Sequence, residues 1–300
     1  MKTMSFSILL CLLMASQALA EVRIFTCEPE WASLATELAG DNATIHSATT
    51  GLQDPHHITA RPSLIAKMRR ADMLICNGAD LEVGWLPLLL RKAGNAKVQP
   101  GNAGYIEAAN FVLLKEKPVS LDRSQGDVHP QGNPHLHTDP RNIAVIAQVV
   151  QDRLIQIDPA NTAYYRQRYE SFALRWQQAI SRWEAETALL KGVPVVTQHK
   201  SWTYMLDWLG MKRIAVVENK PGIPAGAGHI ARVAKSIQQQ SVKMIIRAAY
   251  QNPRISAGLS QRTGVPVVVL PYTVGGTTTA SDLFSLFDET LQLLKQHAGR

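Results

Sequence analysis

The sequence predicts an α/β fold of two lobes, each with a central parallel sheet, joined by one long rigid helix. Three observations lead there. Short β-branched runs alternate with amphipathic helical segments before residue 158 and again after Gly192, the pattern that produces parallel sheets. Residues 158–190 contain no Gly and no Pro after Pro159, with aromatics at helical spacing. A chain of 300 residues is long enough for two α/β lobes of ordinary size. The expected division is an export signal at 1–20, a first lobe at 21–157, the linking helix at 158–190 and a second lobe at 191–300.

Residues 22–26 read as the first strand and 28–38 as a helix that Gly40 ends. Residues 43–48 form a second strand that runs into a loop at 51–57. Pro62 opens a helix to Arg70, since Pro suits a first turn, and Leu64, Ile65 and Met68 make its apolar face. Residues 72–76 are the third strand, 81–92 a helix rich in Leu and Trp, and 111–114 a short strand. Residues 115–139 carry Pro, Gly and His with little periodicity, a long loop of the kind that is functional or disordered. Helical periodicity returns over 142–157.

Asp158 then serves as an N-cap ahead of Pro159. Tyr164, Tyr165, Tyr169, Phe172, Trp176, Ile180 and Trp183 mark one face of the helix it opens. Roughly 30 residues of helix would measure about 45 Å, far longer than the usual 11 or 12 residues. It is either a long helix packed on one domain or a strut between two. Strands come next at 193–197, 214–217, 244–248 and 266–270, with helices at 201–209, 227–240, 256–263 and 281–296 and a loop at 221–224.

Composition narrows the function. The chain is 46% hydrophobic and 18% charged, with a formal charge of +7. Its Lys and Arg are scattered, and no nucleic-acid motif is present, so nucleic acid is not an expected partner. Lys2, the apolar run at 6–14 and Ala18-Leu19-Ala20 form a cleavable export signal. The run is too short to span a bilayer, which takes about 20 residues. Glu21 follows the cleavage site, where a lipobox would need Cys. An exported, periplasmic chain is expected. Cleavage would remove Cys11 and leave Cys27 and Cys76, each at the C-terminal end of a predicted strand. They form a disulfide if those strands are neighbours, or else stay as buried thiols. Neither has a CxxC neighbour to make a thiolate metal site.

Three of the nine histidines, His129, His135 and His137, fall in the Pro-, Gly- and Asn-rich stretch 127–142. Two further stretches, Asp54-Pro55-His56-His57 and Gln198-His199-Lys200, come after predicted strands. Ligands of open α/β sheets bind beyond strand C-termini, so His56, His135 and His199 are the candidates to converge on one metal in a cleft. Three neutral imidazoles suit Zn(II), whereas Mn(II) favours carboxylates. His57, His129 and His137 read as spare or supporting loop residues, His46 and His229 as structural, and His297 as inert. No HExxH, GxSxG, Walker or GxGxxG context is present.

At these residues the chain resembles the substrate-binding proteins of zinc and manganese ABC importers, the cluster A-I group. The matching pieces are Asp54-Pro55-His56 with Arg61-Pro62-Ser63, then Ala71-Asp72 with Asn77-Gly78-Ala79-Asp80-Leu81-Glu82. They continue with Gly132-Asn133-Pro134-His135, Asp139-Pro140 and His199-Lys200-Ser201-Trp202, in order over nearly the whole mature chain. The resemblance implies one linking helix, His56, His135 and His199 as three ligands, a membrane permease as partner, a monomer, and no catalysis. It also implies a carboxylate after the last strand. Here that segment reads Val269-Leu270-Pro271-Tyr272-Thr273-Val274-Gly275, without Asp. The fourth position then falls to water, Glu28, Asp282 or another group, and the loss of a carboxylate tilts the choice from Mn(II) toward Zn(II). A metal-dependent adhesin or chaperone of the same fold, and a three-His zinc hydrolase, are the readings of other classes; no positioned general base supports the hydrolase.

Overall fold

Val22–Thr26 (β1) is buried at four of its five positions, as expected of a strand covered on both faces. It pairs in parallel with Ala43–Ser47 (β2) and Met73–Cys76 (β3). The computed structural model describes residues 21–118, 129–218, 222 and 225–299. The expected export signal with Cys11, and most of the loop at 221–224, lie outside those residues.

The first sheet has the order β2-β1-β3-β4, where β4 is Tyr105–Glu107. The second repeats that order as β6-β5-β7-β8, built from Pro194–Thr197 (β5), Lys212–Val216 (β6), Met244–Ala248 (β7) and Val267–Leu270 (β8). All described pairings are parallel. Each sheet reverses its winding beside its first strand, and the loops after β1 and β5 open there.

The crossovers are Pro29–Ala39 (α1), Pro62–Arg70 (α2) and Leu86–Ala93 (α3) in the first half. Pro140–Ile157 (α4) and Thr162–Glu186 (α5) come after them. In the second half they are Thr203–Trp208 (α6), Ala227–Gln239 (α7), Arg254–Thr263 (α8) and Leu283–Ala298 (α9). Three expectations are corrected. The strand expected at 111–114 is absent: β4 lies earlier, pairing Leu74 with Tyr105, and a 3-10 turn at Ala108–Phe111 carries the chain off the sheet edge. Leu113 is 86% exposed. The helix expected from 81 begins at Leu86, because Ala79 and Asp80 take left-handed φ of 50° and 63° and the chain turns before it coils. The long helix has 25 residues, about 38 Å, because 3-10 turns at Pro159–Asn161 and Ala188–Leu190 replace its expected ends.

Helix α5 touches both halves. Its buried face is Tyr165, Phe172, Trp176, Ala179, Ile180 and Trp183. On the first-half side, Arg168 Nε donates to the Glu37 carbonyl of α1 at 2.7 Å and Trp176 Nε1 to the Pro140 carbonyl of α4 at 2.8 Å. On the other side, Trp176 meets Phe284 of α9 at 4.9 Å between ring centres, and Trp183 Nε1 donates to Asp288 at 2.6 Å. One apolar core runs through both halves along this contact.

Cys27 and Cys76 lie at the ends of the neighbouring strands β1 and β3, with Cys27 N donating to the Ile75 carbonyl at 2.9 Å, and their sulfurs are bonded. The disulfide therefore ties the C-terminal ends of β1 and β3, beside the loops that carry the candidate site.

Candidate metal centre

Two of the three predicted histidines are set by the same local device. Asp54 Oδ1 accepts from the backbone N–H of His56 at 3.0 Å and from its Nδ1 at 2.7 Å. Asn133 Oδ1 accepts from the backbone N–H of His135 at 3.0 Å and from its Nδ1 at 2.8 Å. Each is an Asx residue folding back over a proline onto the next histidine. Trp85 Nε1 pins the first turn by donating to the Pro55 carbonyl at 2.8 Å, and the Asn133 amide donates across to the Lys200 carbonyl at 3.0 Å. The third is set by tertiary register. Thr197 of β5 pairs with Val216 of β6, so two residues on, His199 faces Glu218, with Nδ1 3.1 Å from Oε2.

A carboxylate or amide oxygen only accepts. Each of these rings therefore carries a hydrogen on Nδ1, and in the neutral ring Nε2 keeps a bare lone pair. The ligand atoms of His56, His135 and His199 lie within 4.8 Å of one another, and His135 Nε2 is buried with no hydrogen-bond partner. Burial pushes the His135 imidazole well below its ordinary pKa, with further lowering by His199, His56, His129 and His137. Neutral imidazole is the form that coordinates a metal.

The other histidines separate. His129 comes up beside His56, its Nε2 3.4 Å from that of His56, but stands outside the set whose ligand atoms lie within 4.8 Å of one another. Burial first, then the His56 and His199 imidazoles, lower its pKa to about 3. His137 is turned away: its Nε2 donates to the Tyr272 carbonyl at 3.2 Å and its Nδ1 lies 3.2 Å from Glu30. His57 lies on the rim of a cavity of about 660 Å³ that also meets Asp54, His56, His199, Glu218 and Arg254. His46 packs on Phe25, His229 donates to the Val216 carbonyl, and His297 to Leu293 within α9.

Neither acidic residue expected as a fourth ligand reaches the cluster. Asp282 caps α9, accepting from the backbone N–H of Ser285 at 2.8 Å. Glu28 sits in a buried acidic group with Glu82, beside the Asn77 N–H. The segment after β8 brings Tyr272, with a left-handed φ of 68°, against His135 at 6.1 Å between ring centres. The residues that sequence reasoning missed are Asp54, Asn133 and Glu218 as holders of the rings. The first two carried a local signal, Asx-Pro-His; Glu218 carried none.

The family described as zinc-uptake complex component A, periplasmic, matches residues 24–297. The zinc-binding lipoprotein AdcA of Streptococcus pneumoniae is 21% identical over 268 residues, which are 87% of this chain and 52% of AdcA. This chain thus spans about half the length of that relative. The manganese ABC transporter substrate-binding lipoprotein PsaA of Streptococcus pneumoniae is 21% identical over 263 residues, 84% of this chain and 80% of PsaA. The crystal structure of ZnuA superposes with a TM-score of 0.78 at 17% identity, over 93% of this chain and 99% of that one, a likeness of fold. The match of fold and sequence from the first strand to the last helix places the chain in the ZnuA family, whose members are substrate-binding proteins of metal transport and not enzymes.

Proposed function

We propose that this chain is an exported periplasmic protein that captures one Zn(II) between two lobes, 21–157 and 191–300, and hands it to the membrane permease of an ABC importer. The lobes are linked by the stretch 158–190, and the protein acts as a monomer. The observation that carries the reading is the set of three Nε2 lone pairs, on His56, His135 and His199, each oriented by an acceptor on its Nδ1. Outer partners of this kind fix the tautomer and raise ligand basicity.

Zinc is favoured over manganese by the donors. Among the described residues the cluster offers imidazole nitrogen and no carboxylate oxygen, and imidazole suits Zn(II) while Mn(II) prefers oxygen. The cavity beside His56 and His199 supplies a route for the ion. The core shared along α5 favours small tilts or loop movement on release over a wide hinge.

The test is the metal content of the purified protein by elemental analysis, then zinc titration against a chelator of known affinity and competition with Mn(II). One tightly held zinc per chain that Mn(II) fails to displace is expected. Preference for Mn(II) overturns the choice of cargo. No metal held against a weak chelator overturns the binding reading.

A further inference from the structure

We propose that His129 is the fourth protein ligand of the ion, so that the site is closed by four imidazoles and not by water or a carboxylate. This rests on the proposed binding of zinc.

Three observations carry it. First, His129 Nε2 stands 3.4 Å from His56 Nε2. In a tetrahedral zinc site with Zn–N of about 2.0–2.1 Å, neighbouring nitrogens are separated by about 3.3–3.4 Å. The pair already has the length of one edge of that tetrahedron. Second, the His129 ring lies 5.4 Å from His56 and 6.3 Å from His135 between centres, perpendicular to the latter at 89°. Its ring centre thus lies near two of the three ligands, while its nitrogens stand outside the 4.8 Å set that the other three form, so ligation draws this ring inward onto the ion. Third, the hydrogen of His56 is held on Nδ1 by Asp54, so His56 Nε2 has none to give. The approach of the two Nε2 atoms is then one N–H donated by His129, or two lone pairs aimed at one point. With metal bound only the second is available, and the His129 hydrogen moves to Nδ1. That atom is buried and has no hydrogen-bond partner.

The competing donors are occupied. Asp282 caps α9, Glu28 is paired with Glu82, and His137 is held between Tyr272 and Glu30. Asp54 and Glu218, the nearest carboxylates, face the Nδ1 side of His56 and His199, away from the lone pairs.

The experiment compares the full chain with its His129→Ala and His135→Ala variants. Zinc affinity is read by chelator competition, and the number of imidazole scatterers around bound zinc by X-ray absorption. Wild type should show four imidazoles. His129→Ala should still bind one zinc, with three imidazoles and one oxygen, and with affinity lowered by at least about 10- to 100-fold, the cost of losing even an outer partner of a ligand. His135→Ala should lose stoichiometric zinc. Three imidazoles in wild type, or unchanged affinity and scattering in His129→Ala, would overturn the fourth ligand and leave the binding reading intact. Failure of wild type to bind zinc would overturn both.

Discussion

Gly51 packs so tightly against Gly275 that a Cβ on Gly51 would stand 2.2 Å from the Gly275 carbonyl carbon. The obstacle is backbone, so no side-chain rotation relieves it. The contact joins the loop after β2, which carries His56, to the loop after β8, which carries Tyr272. Gly51 itself has no left-handed φ, so alanine there is unstrained except by this contact. Gly51→Ala should therefore keep the circular dichroism of the fold while separating the two loops. We expect zinc to dissociate at least about tenfold faster, a rate set by residence in the site; stopped-flow release to a chelator checks it.

Asp54 holds His56 by two hydrogen bonds at 3.0 and 2.7 Å. Asp54→Ala frees the ring and its tautomer, and zinc affinity should fall about 10- to 100-fold. Glu218→Ala should act on His199 in the same direction. His297→Ala is the control: its ring bonds Leu293 inside α9, and competition titration should give wild-type affinity.

Glu28 and Glu82 are both 2% exposed. Burial, then the charges of Glu82 and Glu30, hold the Glu28 carboxyl well above its ordinary range. Burial raises Glu82 to about 7, against the opposing hydrogen bonds from Glu28 and the Asn77 and Gly78 N–H groups. Unfolded glutamates titrate near about 4.3. Between that value and about 7 the folded chain keeps protons that the unfolded chain releases. The contribution of this pair to stability is then fully present in acid and is lost as pH rises through that window, while the buried His129 and His135, whose pKa values are lowered, act in the opposite sense. Glu82→Gln should flatten the decline, read as urea midpoints at about pH 5 and about pH 7.5.

The Cys27–Cys76 bond spans a separation of 49 residues. Loop-closure entropy for such a span gives about 4 kcal/mol, within the usual range of about 2–5. The double variant Cys27→Ser, Cys76→Ser should lose that much in equilibrium denaturation. Reducing agent should lower the wild type to the same midpoint and leave the variant unmoved.

How much of this is legible in the chain depends on whether its cause is local. Val22-Arg-Ile-Phe-Thr26 and Met244-Ile-Ile-Arg-Ala248 are apolar runs of strand length, and β1 and β7 keep those bounds. Tyr105-Ile-Glu107 holds one fully buried residue; only its pairing with β3 makes it a strand, while the more apolar run from Phe111 lies past the sheet edge. The closeness of His56, His135 and His199 is legible because each lies past a strand end or in a marked loop. The partnership of His199 with Glu218 is not, since it depends on the register of β5 on β6. His129 looks like a spare loop histidine in the sequence, and only the fold brings it to His56.

The contacts of α5 with α9 bear on the order in which the chain matures. Trp176 and Trp183 are each 1% exposed, and Phe284 and Phe287 of α9 cover them. Helix α9 emerges after every other described element, so until it docks, Trp176 and Trp183 keep part of their indole surface open to water. Helix α5 already packs on α1 and α4, and the apolar burial of Trp176 and Trp183 is completed when Leu283–Ala298 docks. Burial of these indoles thus couples the first half to α9, and a chain stopped before Leu283 would leave an exposed apolar face on α5.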